Sequence, residues 1–173
     1  MLETQDSANA RGARIHAELL GVSAGADASR LTRPDLDGQV HAMKLALADA
    51  RIDPGDVDYI NAHATSTPLG DTVEVQAVKT VFGKRAHEIP INSTKSMLGH
   101  CLSAAAVVEM VATLMQMRHG VLHPTINQEK ADPELDLDFV PNQSRPANIE
   151  VALSNSFGFG GMNSCAVVSR FRP

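Results

Sequence analysis

Residues 102–117 are the most apolar run in the chain, with Leu102, Ala106, Val107, Val108, Met110, Val111, Leu114 and Met115 spread over every face of a helix. A helix of that kind is expected to be buried all round, so the rest of the chain must fold around it. It is shorter than the roughly 20 residues of a bilayer span, and Glu109 stands at its middle. A core helix is therefore expected, and no membrane partner. A lone buried carboxylate costs several kcal/mol unless it is paired, which calls for a cation against Glu109. Lys95, in the preceding loop, is the candidate; the alternative is that Glu109 faces a wet crevice.

The pattern around this helix is α/β. Residues 14–22 alternate as a strand and residues 25–33 read as a polar loop ending at Pro34. Val40, Met43, Leu47 and Ala50 recur at helical spacing over 38–51, stopped by Pro54-Gly55. A short strand over 57–61 follows. Asp71 with Glu74 three residues on resembles a capping box opening a helix over 72–82 that stops at Gly83. Residues 89–92 form the next short strand, residues 124–148 are proline-punctuated and mostly irregular, and strands at 151–154 and 164–168 flank Phe157-Gly158-Phe159-Gly160-Gly161. Alternating strands and helices argue for a layered fold, read here as one domain over 1–173.

The formal net charge of −5 comes without a basic cluster, Arg170 and Arg172 being too sparse for a phosphate stripe, so nucleic acid is excluded as a partner. Met1-Leu2-Glu3-Thr4-Gln5-Asp6 has neither the basic start nor the apolar run of a signal peptide. A cytoplasmic location is expected, with Cys101 and Cys165 as free core thiols. Phe157-Gly158-Phe159-Gly160-Gly161 lacks the spacing of a dinucleotide fingerprint; its glycines instead suggest a tight turn whose backbone approaches a ligand closely. His63, His87 and His100 have no metal-ligand spacing, so no metal is expected.

Two histidines carry the chemical interest. His63 sits at the C-terminal end of the strand over 57–61, where α/β proteins bind ligands. A core histidine at a strand end is the commoner fate, but Thr65 and Thr67 beside it offer two hydroxyls for an amide-bearing substrate arm. His100 lies just before the apolar helix, whose positive end disfavours imidazolium and leaves a neutral donor. Spacing leaves equally open a histidine that caps the helix. Paired neutral imidazoles can stabilise an oxyanion or enolate, yet no convincing nucleophile accompanies them.

Asn-Ala-His-Ala-Thr-Ser-Thr-Pro at 61–68, Ser-Thr-Lys-Ser-Met-Leu-Gly-His at 93–100 and Ser-Asn-Ser-Phe-Gly-Phe-Gly-Gly at 154–161 resemble the three C-terminal signatures of β-ketoacyl-acyl-carrier-protein synthases, the elongating type II enzymes above all. Residues 11–15, 124–127 and 135–142 resemble the family as well. The resemblance implies the C-terminal half of a thiolase-like fold, a mixed sheet layered between helices, that pairs with an N-terminal half or assembles as a homo- or hetero-oligomer. The family's nucleophilic cysteine belongs to that other half, and the chain is expected to begin after it.

The resemblance further implies that His63 and His100 donate to a thioester oxygen while a malonyl group loses carbon dioxide, and that Lys95, paired with Glu109, supports them. Thr65 and Thr67 match threonines that hold the phosphopantetheine arm of acyl carrier protein. Phe159, with Phe157 beside it, matches the gate of the acyl pocket. No cofactor is expected on the chain itself; acyl carrier protein is the expected partner. Ala64 departs from the usual glycine, and Cys101, Ser103 and Ala106 replace smaller or different residues where helices are expected to pack tightly. A ketosynthase-like interaction protein without catalysis is the alternative these departures suggest. Half of such a fold is also expected to expose an apolar face.

Overall fold

The computed structural model describes residues 1–28 and 31–172. In chain order its elements are α1 (Gln5–Ala10), β1 (Glu18–Ala26), α2 (Leu36–Ala50), β2 (Tyr59–Asn61), α3 (Pro68–Phe82), β3 (Ile91–Asn92), α4 (Lys95–Leu98), α5 (Ala105–His119), β4 (Val121–Leu122), β5 (Arg145–Pro146), β6 (Val151–Gly158) and β7 (Met162–Ser169). Five strands form one sheet in the order β1-β7-β6-β2-β3. β7 runs antiparallel to both neighbours, whereas β6, β2 and β3 are parallel. This is the mixed sheet of a thiolase-like fold.

Alternation along the strands sorts the core onto two faces. Ile60, Leu153 and Val167 pack with Met43 and Leu47 of α2 and Val75 and Val78 of α3. Their neighbours Tyr59, Ala152 and Val168 face the other way, onto Met110, Leu114 and Met117 of α5. The sheet is thus layered between α2 and α3 on one side and α5 on the other.

Local chemistry sets the helix ends. Asp35 caps α2, its carboxylate accepting from the Gly38 N–H at 2.8 Å. α3 begins at Pro68, with Thr67 at its N-cap. A proline at the first helical position gives up no hydrogen bond, because that N–H has no intrahelical partner. The helix therefore starts four residues earlier than the Asp71/Glu74 spacing suggests, and Glu74 is turned into the core rather than back to a cap. α1 and the β4–β5 pair lie where no element was expected, and β1 runs to Ala26, into the stretch read as a loop. Ser29 and Arg30 of that stretch are outside the described residues.

The largest departure concerns α5. Its buried side chains are Ala105, Glu109, Thr113, Gln116 and Met117, while Val107, Val111 and Met115 are exposed. Polar groups face the sheet and an apolar stripe at i, i+4, i+8 faces outward, the reverse of an ordinary surface helix. The expectation of burial on every face fails for this chain. Cys101, Ser103 and Ala106 are exposed too, so none of them crowds a packed helix interface here. Among the described residues no helix is long and apolar enough to cross a membrane.

Gly21 shows where close approach sets the packing of α2 on β1. A Cβ there would lie 2.7 Å from the Ala46 carbonyl oxygen and 2.8 Å from the Ala50 Cα, both backbone atoms of α2. Gly21→Ala is expected to cost about 1–3 kcal/mol through overpacking, read by urea unfolding. Gly25→Ala, on the same strand with nothing within 4 Å of the added carbon, should be close to neutral; equal losses at both positions would refute the steric argument.

Candidate active site

β2 ends at Asn61 and the chain turns sharply, with Ala64 at φ 24° and Ser66 at φ 61°. A Cβ in left-handed backbone costs about 1–2 kcal/mol, so the turn needs an external hold. Glu74 of α3 supplies it. One carboxylate oxygen accepts from the His63 N–H at 2.9 Å and the other from the Ala64 N–H at 2.8 Å. Asn155 of β6 donates to the same group at 3.0 Å, and Ser93 donates to the Ala64 carbonyl at 3.0 Å. Burial raises the Glu74 carboxyl above its ordinary range, and the N–H groups of Ala64, Asn155 and His63 oppose the rise.

His63 is delivered by this turn. Burial first, then the charge of Lys95, then His100, lowers its pKa from 6.5 to about 3. The ring is neutral at physiological pH. His100 meets it edge-on, centroids 5.7 Å apart and planes at 84°. The Leu102 N–H donates to Nδ1 of His100 at 3.1 Å, so the neutral His100 ring carries its proton on Nε2. A single 3-10 turn, Leu102–Ala104, separates His100 from α5. What fixes this ring is the turn, not a direct seat on the helix.

Behind the imidazoles lies the charged pair the apolar helix called for. Nζ of Lys95 sits 2.6 Å from Oε1 of Glu109, with side chains 5% and 3% exposed. Oε2 of Glu109 accepts from Nδ2 of Asn61 at 3.1 Å, and that amide also donates to Ser154 Oγ at 3.1 Å. Lys95 makes an ion contact, but its ammonium has no aligned hydrogen bond among the described residues. It therefore keeps donors for an acceptor brought into the site.

Ala64, Thr65, Ser66, Lys95 and His100 line a groove of about 910 Å³ together with Asn127, Gln128 and Lys130. The hydroxyls of Thr65 and Thr67 are 3.3 Å apart; Thr65 lines the groove, and Thr67 is exposed at the start of α3. Phe157 packs 5.9 Å from the His63 ring. Phe159 stands at the β6–β7 turn, 77% exposed, so the structure joins Phe157 but not Phe159 to the histidine cluster. That turn depends on Gly160 and Gly161, at φ 77° and 74°, and a Cβ on Gly161 would collide with the Asp27 carboxylate.

Cys101 is exposed, not a core thiol. Cys165 is buried, donates to Asn155 at 3.2 Å, and has its pKa pushed up by burial. Glu74, Asn61 and Asn155 are not among the site residues expected from the sequence, where Glu74 reads only as part of a capping box. For Glu74 the signal existed: like Glu109, it is a carboxylate on a helix face otherwise occupied by Val73, Ala77 and Val78. Among the described residues no group of three or more His, Cys, Asp or Glu side chains is placed to hold a metal.

The family profile described as beta-ketoacyl synthase, C-terminal domain, matches residues 16–129. This chain belongs to the β-ketoacyl synthase family. It is 48% identical to nodulation protein E of Rhizobium sp. (strain N33) over 95% of its own length and 41% of that protein's. It is 46% identical to 3-oxoacyl-[acyl-carrier-protein] synthase 2 of Coxiella burnetii, over 98% of its length and 42% of the relative. Among solved structures, a chain from a type II polyketide synthase acyl-carrier protein in complex with its ketosynthase superposes with a TM-score of 0.94 at 42% identity. The ishigamide ketosynthase/chain length factor gives 0.94 at 38%; in both, 98% of this chain and 42% of the other are covered. The chain spans about two-fifths of the length of these relatives.

Two tests follow from the geometry. An unfolded His63 binds a proton below pH 6.5 that the native ring refuses down to about 3. Its contribution is therefore full above pH 6.5, falls by up to about 1.4 kcal/mol per pH unit below it, and is spent near pH 3. Urea unfolding at pH 6.5, 5.5 and 4.5 should show a steeper loss for the wild type than for His63→Asn; parallel curves would remove the argument. Glu74→Gln leaves one of the two turn N–H groups without its acceptor and should cost about 1–3 kcal/mol, with the His63 ring resonances displaced in an NMR spectrum.

Proposed function

We propose that the chain is the C-terminal part of a β-ketoacyl-acyl-carrier-protein synthase acting in fatty acid or polyketide biosynthesis, and that residues 1–173 form one domain of it. The reaction is decarboxylative Claisen condensation of a malonyl thioester with an acyl thioester held on a cysteine of the N-terminal half. The observation that carries this reading is the edge-on pair of imidazoles, with His63 neutral and His100 protonated on Nε2, beside a buried lysine.

The proposed roles follow from that arrangement. As the bond from the malonyl Cα to its carboxylate breaks, carbon dioxide leaves and the electron pair passes onto the thioester oxygen as an enolate. His63 and His100 donate hydrogen bonds to that oxygen, and neither ring needs to lose its proton. The enolate carbon then attacks the acyl carbonyl, and the cysteine thiolate departs. Lys95 helps keep the His63 ring neutral and contributes positive charge, its own position set by Glu109. Thr65 and Thr67 would hold the phosphopantetheine arm of acyl carrier protein along the groove, and Phe159 would border the acyl pocket. The outward apolar stripe of Val107, Val111 and Met115 suits coverage by the half that brings the cysteine.

The test joins the chain to a nucleophile-bearing half by co-expression, and measures acyl transfer to cysteine separately from malonyl decarboxylation. His63→Ala and His100→Ala should each lower decarboxylation by about 10²–10³-fold and leave acyl transfer largely intact. A complex that co-purifies and stimulates a full synthase equally well with both histidines replaced would instead mark a noncatalytic partner. Absence of both activity and co-purification would defeat the proposal.

A further inference from the structure

His123 follows β4 and takes no part in the roles above, yet it is tied into the same network. Its N–H donates to Oε1 of Gln116 on α5 at 2.9 Å, and its carbonyl accepts from Nδ2 of Asn92 on β3 at 2.8 Å. The ring is clamped at both ends: Nδ1 lies 3.0 Å from the Pro124 carbonyl oxygen, and Nε2 lies 2.9 Å from Oγ1 of Thr94. Oγ1 of Thr94 is also 3.1 Å from Oδ1 of Asn61, the amide that donates to Glu109.

Counting protons shows that these contacts compete. Ionised Glu109 only accepts, so Asn61 must present its NH₂ to it and its carbonyl oxygen to Thr94. The Pro124 carbonyl also only accepts, which places a proton on Nδ1 of His123. Burial pushes the His123 pKa below its ordinary value, so the ring is neutral and Nε2 carries a lone pair. Thr94 has one hydroxyl proton and two acceptors, Nε2 of His123 and Oδ1 of Asn61. The imidazole nitrogen is nearer and the more basic.

We propose that His123 is a positioning residue: it draws the single hydroxyl proton of Thr94 away from Asn61 and thereby sets how strongly Asn61 competes with Lys95 for Glu109. With Thr94 turned to His123, the Asn61 amide is less polarised and donates more weakly, so Glu109 holds Lys95 more firmly. Without the Nε2 acceptor, Thr94 turns to Asn61, Asn61 pulls harder on Glu109, and Lys95 is held less well. The catalytic consequence rests on the condensing function proposed above; the proton arrangement does not.

The test uses the chain in complex with its nucleophile-bearing half. Histidine ¹⁵N chemical shifts should show His123 as the Nδ1–H tautomer and His100 as the Nε2–H tautomer. His123→Phe should lower kcat for malonyl decarboxylation by about 2–5-fold, the effect of altering a charge-assisted hydrogen bond by a fraction of its strength, with KM unchanged. His123→Gln, whose carbonyl can accept from Thr94, should restore the rate. In a Thr94→Val background His123→Phe should have no further effect. An Nε2–H tautomer at His123, or a loss in His123→Phe that persists undiminished in Thr94→Val, would overturn the proposal. A wild-type complex that does not decarboxylate while His123 is Nδ1–H would sink the condensing reading and still support the proton arrangement.

Discussion

Lys95 and Glu109 meet at 2.6 Å with almost no exposure to solvent, and much of the molecule is arranged to make that tolerable. Removing two charges from water costs several kcal/mol per ion, repaid only when geometry is good and the remaining polar atoms are satisfied. Glu109 is satisfied by Asn61 at the end of β2, and the Asn61 amide also donates to Ser154, with the Thr94 hydroxyl 3.1 Å from its carbonyl oxygen. One ion pair thereby ties α4, α5, β2 and β6 together. Loss of either partner leaves a buried charge alone, a cost of about 3–5 kcal/mol where such pairs are broken.

The same pair decides which way α5 faces. Glu109, Thr113 and Gln116 lie one turn apart on a single face, and Gln116 continues the polar contact by donating to Tyr59 at 2.9 Å and accepting from Asn92 at 2.8 Å. A helix that must offer this row to the sheet has only its apolar side left for the outside. The exposed Val107, Val111 and Met115 are thus the consequence of an inward polar network. In the proposed synthase that side would meet the half that holds the cysteine.

Much of this was legible in sequence. The energetic objection to a lone carboxylate in an apolar helix was enough to couple Glu109 to Lys95; helical spacing located α2, and the apolar run located α5. The three motifs gave the family and gathered His63, Lys95 and His100. The failures share a cause: local patterns do not say what passes over an element. Asp71 and Glu74 have capping-box spacing, but a strand end crosses above α3 and Glu74 serves its N–H groups instead. Likewise, counting apolar residues around α5 could not show that its few polar ones would claim the sheet. β1 ran past its expected end because pairing with β7 holds as far as Ala26, a tertiary effect that alternation over residues 14–22 does not contain.

The two histidine rings are fixed by different physics, and in the proposed synthase the difference bears on what the N-terminal half would supply. His63 is neutral because it is buried beside a cation and is held by a turn anchored to Glu74. His100 is exposed, and its tautomer comes from the N–H of a residue two positions on. Both arrangements are made from groups within this chain, as is the Lys95–Glu109 pair behind them. Hydrogen-bond donors aimed before the substrate arrives need no reorganisation during reaction, which is what makes them effective on a developing oxyanion. In the proposed synthase the N-terminal half would add a nucleophile and exclude water from His100, while the hydrogen-bond donors for the enolate would come from this chain.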